Sequence, residues 1–169
     1  TLAISVANLN DNAPMLTSFG GAAAAATSVV ENSVAAATVT ATDADGTALT
    51  YSISGGADAS RFTINAANGA LSFVTPPDYE APNDSNGDRI YNVIVQASDG
   101  TNAVTQSLAI SIANANDNAP VISSNGGGAS ASISMAENQS AVTTVTASDA
   151  DGSTPSYVIS GGADAALFT

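Results

Sequence analysis

Short acidic and amide side chains recur in clusters along this chain. Asn10, Asp11 and Asn12 lead into Pro14, and Asn116, Asp117 and Asn118 lead into Pro120. Asp43 and Asp45 flank Ala44, and the same DADG spelling returns with Asp149 and Asp151. Asp78-Tyr79-Glu80, Glu31 and Asp99 complete the set. Three kinds of chemistry are open to such groups. Paired carboxylates hydrolyse glycosides at a suitable separation. Clustered carboxylate and carboxamide oxygens bind hard cations, calcium above all. Asn and Asp also build tight turns by bonding their own backbone.

Composition narrows the choice. The 169 residues hold 15 acidic and only 2 basic residues, for a net charge of −13, with no His and no Cys. Arg61 and Arg89 are the two basic residues, so Lys is absent as well. Such a surface repels nucleic acid and anionic lipid, both of which need a basic footprint. Without His, Cys or Lys the usual general bases and nucleophiles are missing. Any metal must be held by oxygen. A catalytic carboxylate pair is expected in one cleft, whereas these acids recur along the chain, so no enzyme is expected. Asp84 and Asp88 alone form a pair without a counterpart. Their DSNGD loop looks like half of an EF-hand but lacks the distal bidentate Glu, and it reads as a solvated turn.

The recurrence has one period. Pro14 and Pro120 are 106 positions apart, and ENSVAAATVTATDADG from Glu31 returns at that offset as ENQSAVTTVTASDADG from Glu137. Residues 1 to 63 overlie residues 107 to 169 without a gap. The chain therefore reads as a window on a tandem array. Residues 1–13 are the last strand and linker of one repeat, 14–119 a complete repeat, and 120–169 the first half of the next. A longer parent protein is expected. The longest apolar low-complexity run, AAAAA from Ala22, is far too short to span a bilayer, and no direct membrane insertion is expected in this segment.

The elements that must position the acids are strands. LTYSIS from Leu49, YNVIVQA from Tyr91 and SLAISI from Ser107 alternate apolar with small polar residues. Strands are expected near 27–30, 34–42, 48–54, 61–65, 70–74, 89–98 and 102–113. The Ala-rich stretch 22–37 is read as extended because its copy, GASASISMAENQSAV, is rich in Ser and β-branched residues. Seven short strands in about 100 residues argue an all-β sandwich, with Tyr51, Phe62, Phe73, Tyr91 and Phe168 in the core. Every acid of interest lies at a strand end. Glu31, Asp78 and Glu80 are expected at one pole of the sandwich with the outgoing linker. Asp43, Asp45 and Asp99 are expected at the other with the incoming one. Carboxylates crowded there repel one another unless a cation sits between them. In isolation, NDN and DADG also serve as simple turns.

These residues resemble the cadherin repeat. Glu31-Asn32, DAD at Asp43 to Asp45, the Asp78-Tyr79-Glu80 motif, Asp99-Gly100 and the linker Asn116 to Pro120 appear in the family's order and cover the whole chain. The resemblance implies a tandem Greek-key β-sandwich of cadherin or immunoglobulin type, repeating about every 106 residues. It also implies calcium at each joint, stiffening an extracellular or cell-surface array. Carried over residue by residue, one joint uses Glu31, Asp78, Glu80, Asn116, Asp117, Asn118, Asp149 and Asp151. The preceding joint takes Asn10, Asp11, Asn12, Asp43, Asp45 and Asp99. The chain departs from the family at the leading linker residue, Asn8 or Asn114 where Asp is usual, and in the middle of the Asp-x-Glu motif, where Tyr79 replaces the common Arg. The Ala/Ser-rich loops and the DYEAPNDSNGD insertion resemble the arrays of large bacterial surface proteins. Two roles follow: a calcium-stiffened spacer in an adhesion protein, and a subunit that assembles through homophilic or filament self-contacts. Adjacent repeats of the chain are partners in both.

Overall fold

The computed structural model describes residues 1 to 169, and the chain divides into two compact units, Thr1–Ala115 and Asn116–Thr169. The first holds nine strands: β1 (Met15–Leu16), β2 (Ala24–Val30), β3 (Ala35–Thr38), β4 (Ala41–Thr42), β5 (Thr50–Gly55), β6 (Phe62–Ile64), β7 (Ala70–Phe73), β8 (Ile90–Ser98) and β9 (Ala103–Ala113). There is no α-helix. One layer is a four-stranded sheet in the order β2-β9-β8-β5, and a second is the sheet β3-β7-β6. β1 and β4 form a separate pair. Strands adjacent in sequence are mostly not neighbours in a sheet, as expected of the Greek-key order.

Alternation along the strands builds the core. In β8, Tyr91, Val93, Val95 and Ala97 face inward and are buried, and β9 does the same with Gln106, Leu108, Ile110 and Ile112. Val39, Leu71, Phe62 and Phe73 close the core from the other layer. Three rings meet there: Phe62 and Phe73 lie 4.7 Å apart, and Tyr91 stands edge-on to Phe73 at 5.2 Å. Pairs of this kind add stabilisation beyond the buried area. The Tyr91 hydroxyl donates to Asn83 Oδ1 at 2.7 Å, so its polar tip is satisfied. Burial raises the Tyr91 pKa.

Two differences from the sequence expectation have local causes. The single strand expected over 34–42 is two, β3 and β4. Val39 N–H leaves for Gly69 O, and Thr40 O accepts from Thr17 and Ser18 instead of a sheet neighbour. Gly69 is required at that crossing: its φ is +69°, and a Cβ there would fall 2.0 Å from Val39 O. The Ala-rich stretch is extended, and it yields β2 parallel to β9, from Ala24 beside Ser107 to Val30 beside Ala113. The loop before β2 is held by Gln106, which is fully buried; its Nε2 donates to Ala22 O at 2.6 Å and its Oε1 accepts from Ser18 Oγ at 2.8 Å.

In Asn116–Thr169, β10 (Val121–Ile122) pairs antiparallel with β11 (Ala147–Ser148), the counterparts of β1 and β4. The counterpart of Phe168 is Phe62, but Phe168 itself is 50 % exposed rather than in a core. Residues 116–169 contain no equivalent of β7 or β8, whose Phe73 and Tyr91 rings lie against Phe62. No helix of the chain is long and apolar enough to cross a membrane.

Candidate metal centre

In Thr1–Ala115 the strand directions sort the acids. β2 and β9 run parallel, so Glu31 after β2 and the linker after β9 leave the sheet together, with Glu31 N–H donating to Ala113 O at 3.0 Å. β4 delivers Asp43 and Asp45, and β8 delivers Asp99, at the end where the incoming linker joins β1.

At the incoming end the contacts are dense. Asp45 Oδ2 accepts the backbone N–H of Asp11 at 3.0 Å and of Asn12 at 2.7 Å, and its Oδ1 accepts Asn12 Nδ2 at 2.8 Å. Asn8 Nδ2 donates to Asp45 O at 2.9 Å. Asn10 Nδ2 donates to Thr101 Oγ1 at 3.1 Å and more weakly to Asp99 O. Asp43 Oδ1 accepts from the N–H groups of Asp45 and Thr47, closing the turn that Gly46 completes at φ +77°. Asp99 Oδ1 accepts from Thr101 and Asn102 at 2.7 and 2.6 Å. In Asp43 and Asp99 one oxygen organises a turn. The other is the informative one: Asp43 Oδ2, Asp99 Oδ2 and Asn10 Oδ1 are buried and have no hydrogen-bond partner.

Buried polar atoms are almost always paired, and an orphaned one costs about 1–3 kcal/mol. All three orphans are acceptors, two from carboxylates and one from a carboxamide, a donor set that suits a hard cation. The electrostatics agree with ionised acids. The Asn12 backbone N–H, helped by its side-chain amide, holds the Asp45 carboxyl below its ordinary range, against partial desolvation and the nearby Asp99 charge. The Asn102 backbone N–H chiefly holds Asp99 low in the same way, against desolvation.

At the outgoing end Glu31 is 4 % exposed. Its Oε2 accepts Tyr79 N–H and its Oε1 accepts Ala115 N–H, both at 2.7 Å, so one carboxylate ties the Asp78-Tyr79-Glu80 loop to the start of the linker. Asp78 is exposed and its Oδ1 accepts the N–H groups of Glu80 and Ala81 at 2.9 Å. Tyr79 lies partly buried under Arg89, whose guanidinium is 4.4 Å from the ring centroid and whose Nε donates to Tyr79 O at 2.7 Å. Cation–π contact of this kind fixes the loop's middle residue.

The second unit repeats the incoming geometry on its own. Asp151 Oδ2 accepts Asn118 N–H at 2.7 Å and its Oδ1 accepts Asn118 Nδ2 at 2.9 Å. Asp149 Oδ1 accepts Asp151 N–H at 2.9 Å, Asp117 Oδ1 accepts Asn118 Nδ2 at 3.0 Å, and Asn116 Oδ1 accepts Ser153 Oγ at 3.0 Å.

The DSNGD loop differs from its reading as a solvated turn. Asp84 is 8 % exposed, and its two oxygens accept backbone N–H groups from Asn86, Asp88 and Arg89. Burial pushes the Asp84 carboxyl up, but N–H donors from Asp88, Arg89, Gly87 and Asn86 outweigh it and hold the pKa low. Asp88 and Asn86 are solvated at the loop's surface. The loop is a self-satisfied turn. Sequence reasoning passed over Asn102, which joins Asp99 to the linker by donating from its own Nδ2 to Asn12 O at 3.3 Å. The signal was present as a third oxygen-bearing side chain in Asp99-Gly100-Thr101-Asn102.

Comparison with known proteins gives a consistent result. The family model for the cadherin domain matches residues 26–113. The chain is 38% identical over 88 residues to the Protocadherin-like wing polarity protein stan of Drosophila melanogaster, covering 48% of this chain and 2% of that protein. It is 31% identical over 154 residues to the human Cadherin EGF LAG seven-pass G-type receptor 2, covering 86% of this chain and 5% of the receptor. The chain thus spans only a few per cent of these relatives' length. Among solved structures, human Protocadherin-24 EC1-2 superposes with a TM-score of 0.60 at 27% identity, over 82% of this chain and 62% of that one. The extracellular cadherin domains 3–6 of Protocadherin Gamma B2 give a TM-score of 0.59 at 24% identity, over 86% of this chain and 37% of that one, a likeness of fold.

Proposed function

Because the chain belongs to the cadherin family, we propose that it is a calcium-binding stretch of an extracellular adhesion protein, with the cation at the joints between successive repeats. The observation that carries this reading is the trio of buried, unpartnered oxygens, Asn10 Oδ1, Asp43 Oδ2 and Asp99 Oδ2. By the 106-residue period, each joint takes Glu31, Asp78 and Glu80 or their counterparts from the repeat before it. From the linker and the repeat after it come Asn116, Asp117, Asn118, Asp149 and Asp151 or their counterparts. Bound calcium would supply the positive charge that lets these carboxylates share one end of the sandwich.

The protein's own groups do the rest. Asp45 and Asp151 each grip the last asparagine of the linker that enters their repeat, which keeps NDN facing the DAD turn with or without a cation. Glu31 holds Ala115, fixing where the linker departs. An array of such repeats is stiffened at every joint and projects whatever adheres at its end. The Ala/Ser-rich loops favour a large surface protein of the bacterial kind.

A second reading, a subunit that assembles laterally, is favoured by one separate observation: strands β2, β9, β8 and β5 carry no charged residue, so the outer face of that sheet is uncharged. The test of the first reading is thermal unfolding in millimolar calcium and in chelator. Binding to the native state alone raises the midpoint with calcium concentration, and an unchanged midpoint would remove the calcium role while leaving the fold.

A further inference from the structure

Arg89 is one of 2 basic residues in a chain with 15 acidic ones, and its backbone lies in the left-handed region at φ +65°. A residue with a Cβ seldom adopts that conformation, which persists where surrounding contacts impose it. Two backbone bonds do so here: Arg89 N–H donates to Asp84 Oδ1 at 3.1 Å, and Arg89 O accepts Ile112 N–H at 3.0 Å. From this backbone the side chain reaches Tyr79. Its guanidinium lies 4.4 Å from the Tyr79 ring centroid, and its Nε donates to Tyr79 O at 2.7 Å.

Tyr79 sits between two acids of the outgoing end, Asp78 and Glu80. Pro77 O accepts Asn32 N–H at 2.9 Å and Tyr79 N–H donates to Glu31 Oε2 at 2.7 Å, so the segment after β2 fixes the chain on either side of Asp78. Tyr79 O and Glu80 N–H are opposite edges of one planar peptide. Arg89 Nε donates to the first edge, and Asp78 Oδ1 accepts from the second at 2.9 Å. The orientation of that plane sets the direction in which the Glu80 side chain leaves the loop. Removing the Arg89 side chain frees its carbonyl edge.

We propose that Arg89 is a positioning residue for the outgoing cation site: it holds no cation itself and clamps Tyr79 so that Asp78 and Glu80 present their carboxylates together. The inference rests on the calcium reading of the joint and adds to it a residue outside the acidic and amide set. What separates a clamp from a bystander is the sign of its effect. A guanidinium beside a cation site opposes calcium by charge, so removing a bystander arginine strengthens binding. Removing a clamp weakens it, since partners that orient metal ligands commonly carry about tenfold or more of the affinity. Lys is no substitute, because the stacking and the fixed direction of the Nε–H come from the planar fork.

The test is a calcium titration of the isotopically labelled whole chain, begun in the calcium-free state and followed by amide NMR signals at each end. Tyr79 and Glu80 report the outgoing end, and Thr101 and Asn102 the incoming one. The decisive variant is Arg89→Gly, which suits φ +65° and keeps both backbone bonds while deleting the clamp. Its outgoing titration is expected to move to about tenfold higher calcium, with the incoming one unchanged. Asp84→Ala is the control: it loosens the same loop, but Ile112 and Tyr79 still hold Arg89, and both titrations are expected to stay as in the wild type. Should Arg89→Gly fail to fold, judged by its melting midpoint, Arg89→Lys replaces it, with the same outgoing shift expected. An outgoing titration unchanged or moved to lower calcium, an equal shift at both ends, or an equal shift in Asp84→Ala overturns the clamp and leaves the calcium reading standing. A wild type whose Tyr79 and Glu80 signals ignore calcium removes the calcium reading at that end, and the clamp with it.

Discussion

Asn12 grips Asp45 with both its backbone N–H and its side-chain amide, at 2.7 and 2.8 Å, and Asn118 grips Asp151 with the same two groups at 2.7 and 2.9 Å. The last Asn of each linker is thus bound to the second Asp of the DAD turn one third of a repeat later. Both copies make the pair independently. It aligns the linker without any cation, and it leaves the first Asp of the turn and Asp99 each with an oxygen to spare.

Asp45→Asn removes one charge and turns an NH₂ group toward one of the donors that both Asp45 oxygens accept. Calcium affinity is expected to fall by about tenfold or more, since ligand charge sets affinity in oxygen sites. The melting midpoint in chelator is expected to fall as well, because the pair holds the linker without any cation. A calcium titration of each protein, followed by the midpoint, checks both statements.

Glu31→Gln tests the outgoing end. Both Glu31 oxygens accept backbone N–H groups in a buried setting, so the substitution turns an NH₂ group toward one of these donors. A loss of about 1–3 kcal/mol is expected even in chelator. Denaturant unfolding of the calcium-free protein measures it.

Asp84→Ala separates the DSNGD loop from the joint. It orphans the N–H groups of Asn86, Asp88 and Arg89 and is expected to cost about 1–3 kcal/mol. Because the loop satisfies itself, the calcium-dependent rise in midpoint is expected to stay as in the wild type. A smaller calcium response in Asp84→Ala would place the loop in the metal site.

Acid should destabilise the calcium-free protein in a defined window. Asp45, Asp84 and Asp99 have folded pKa values held below the ordinary aspartate value of 3.8. Their contribution is fully present above the unfolded value and is lost as pH falls from there through the lowered folded values. The midpoint in chelator is expected to be flat from about pH 7 to 5 and to decline below about pH 4. A decline that begins near neutrality would assign the sensitivity to other groups.

Much of this was legible in the sequence because two signals coincided. Period-2 alternation placed the strands holding Tyr51, Leu71, Tyr91 and Leu108, and the 106-residue repeat singled out the acids at their ends. What was illegible depended on contacts remote in sequence. The break between β3 and β4 comes from Gly69 crossing Val39, and the two-residue strand β1 exists only because β4 lies beside it. The burial of Asp84 follows from backbone N–H groups converging on it, which no composition reveals. The unpartnered oxygens of Asp43, Asp99 and Asn10 needed a full hydrogen-bond inventory, since the sequence names the residues without saying which atoms are already engaged.

The most direct measurement is calorimetric titration of calcium into the chelator-stripped chain, beside the double substitution Asp43→Asn and Asp99→Asn. Saturable calcium uptake by the wild type, lost or weakened by about tenfold or more in the double variant, is the expected result. No saturable uptake at millimolar calcium, or equal uptake by the two proteins, would contradict the assignment of the buried oxygens to a metal.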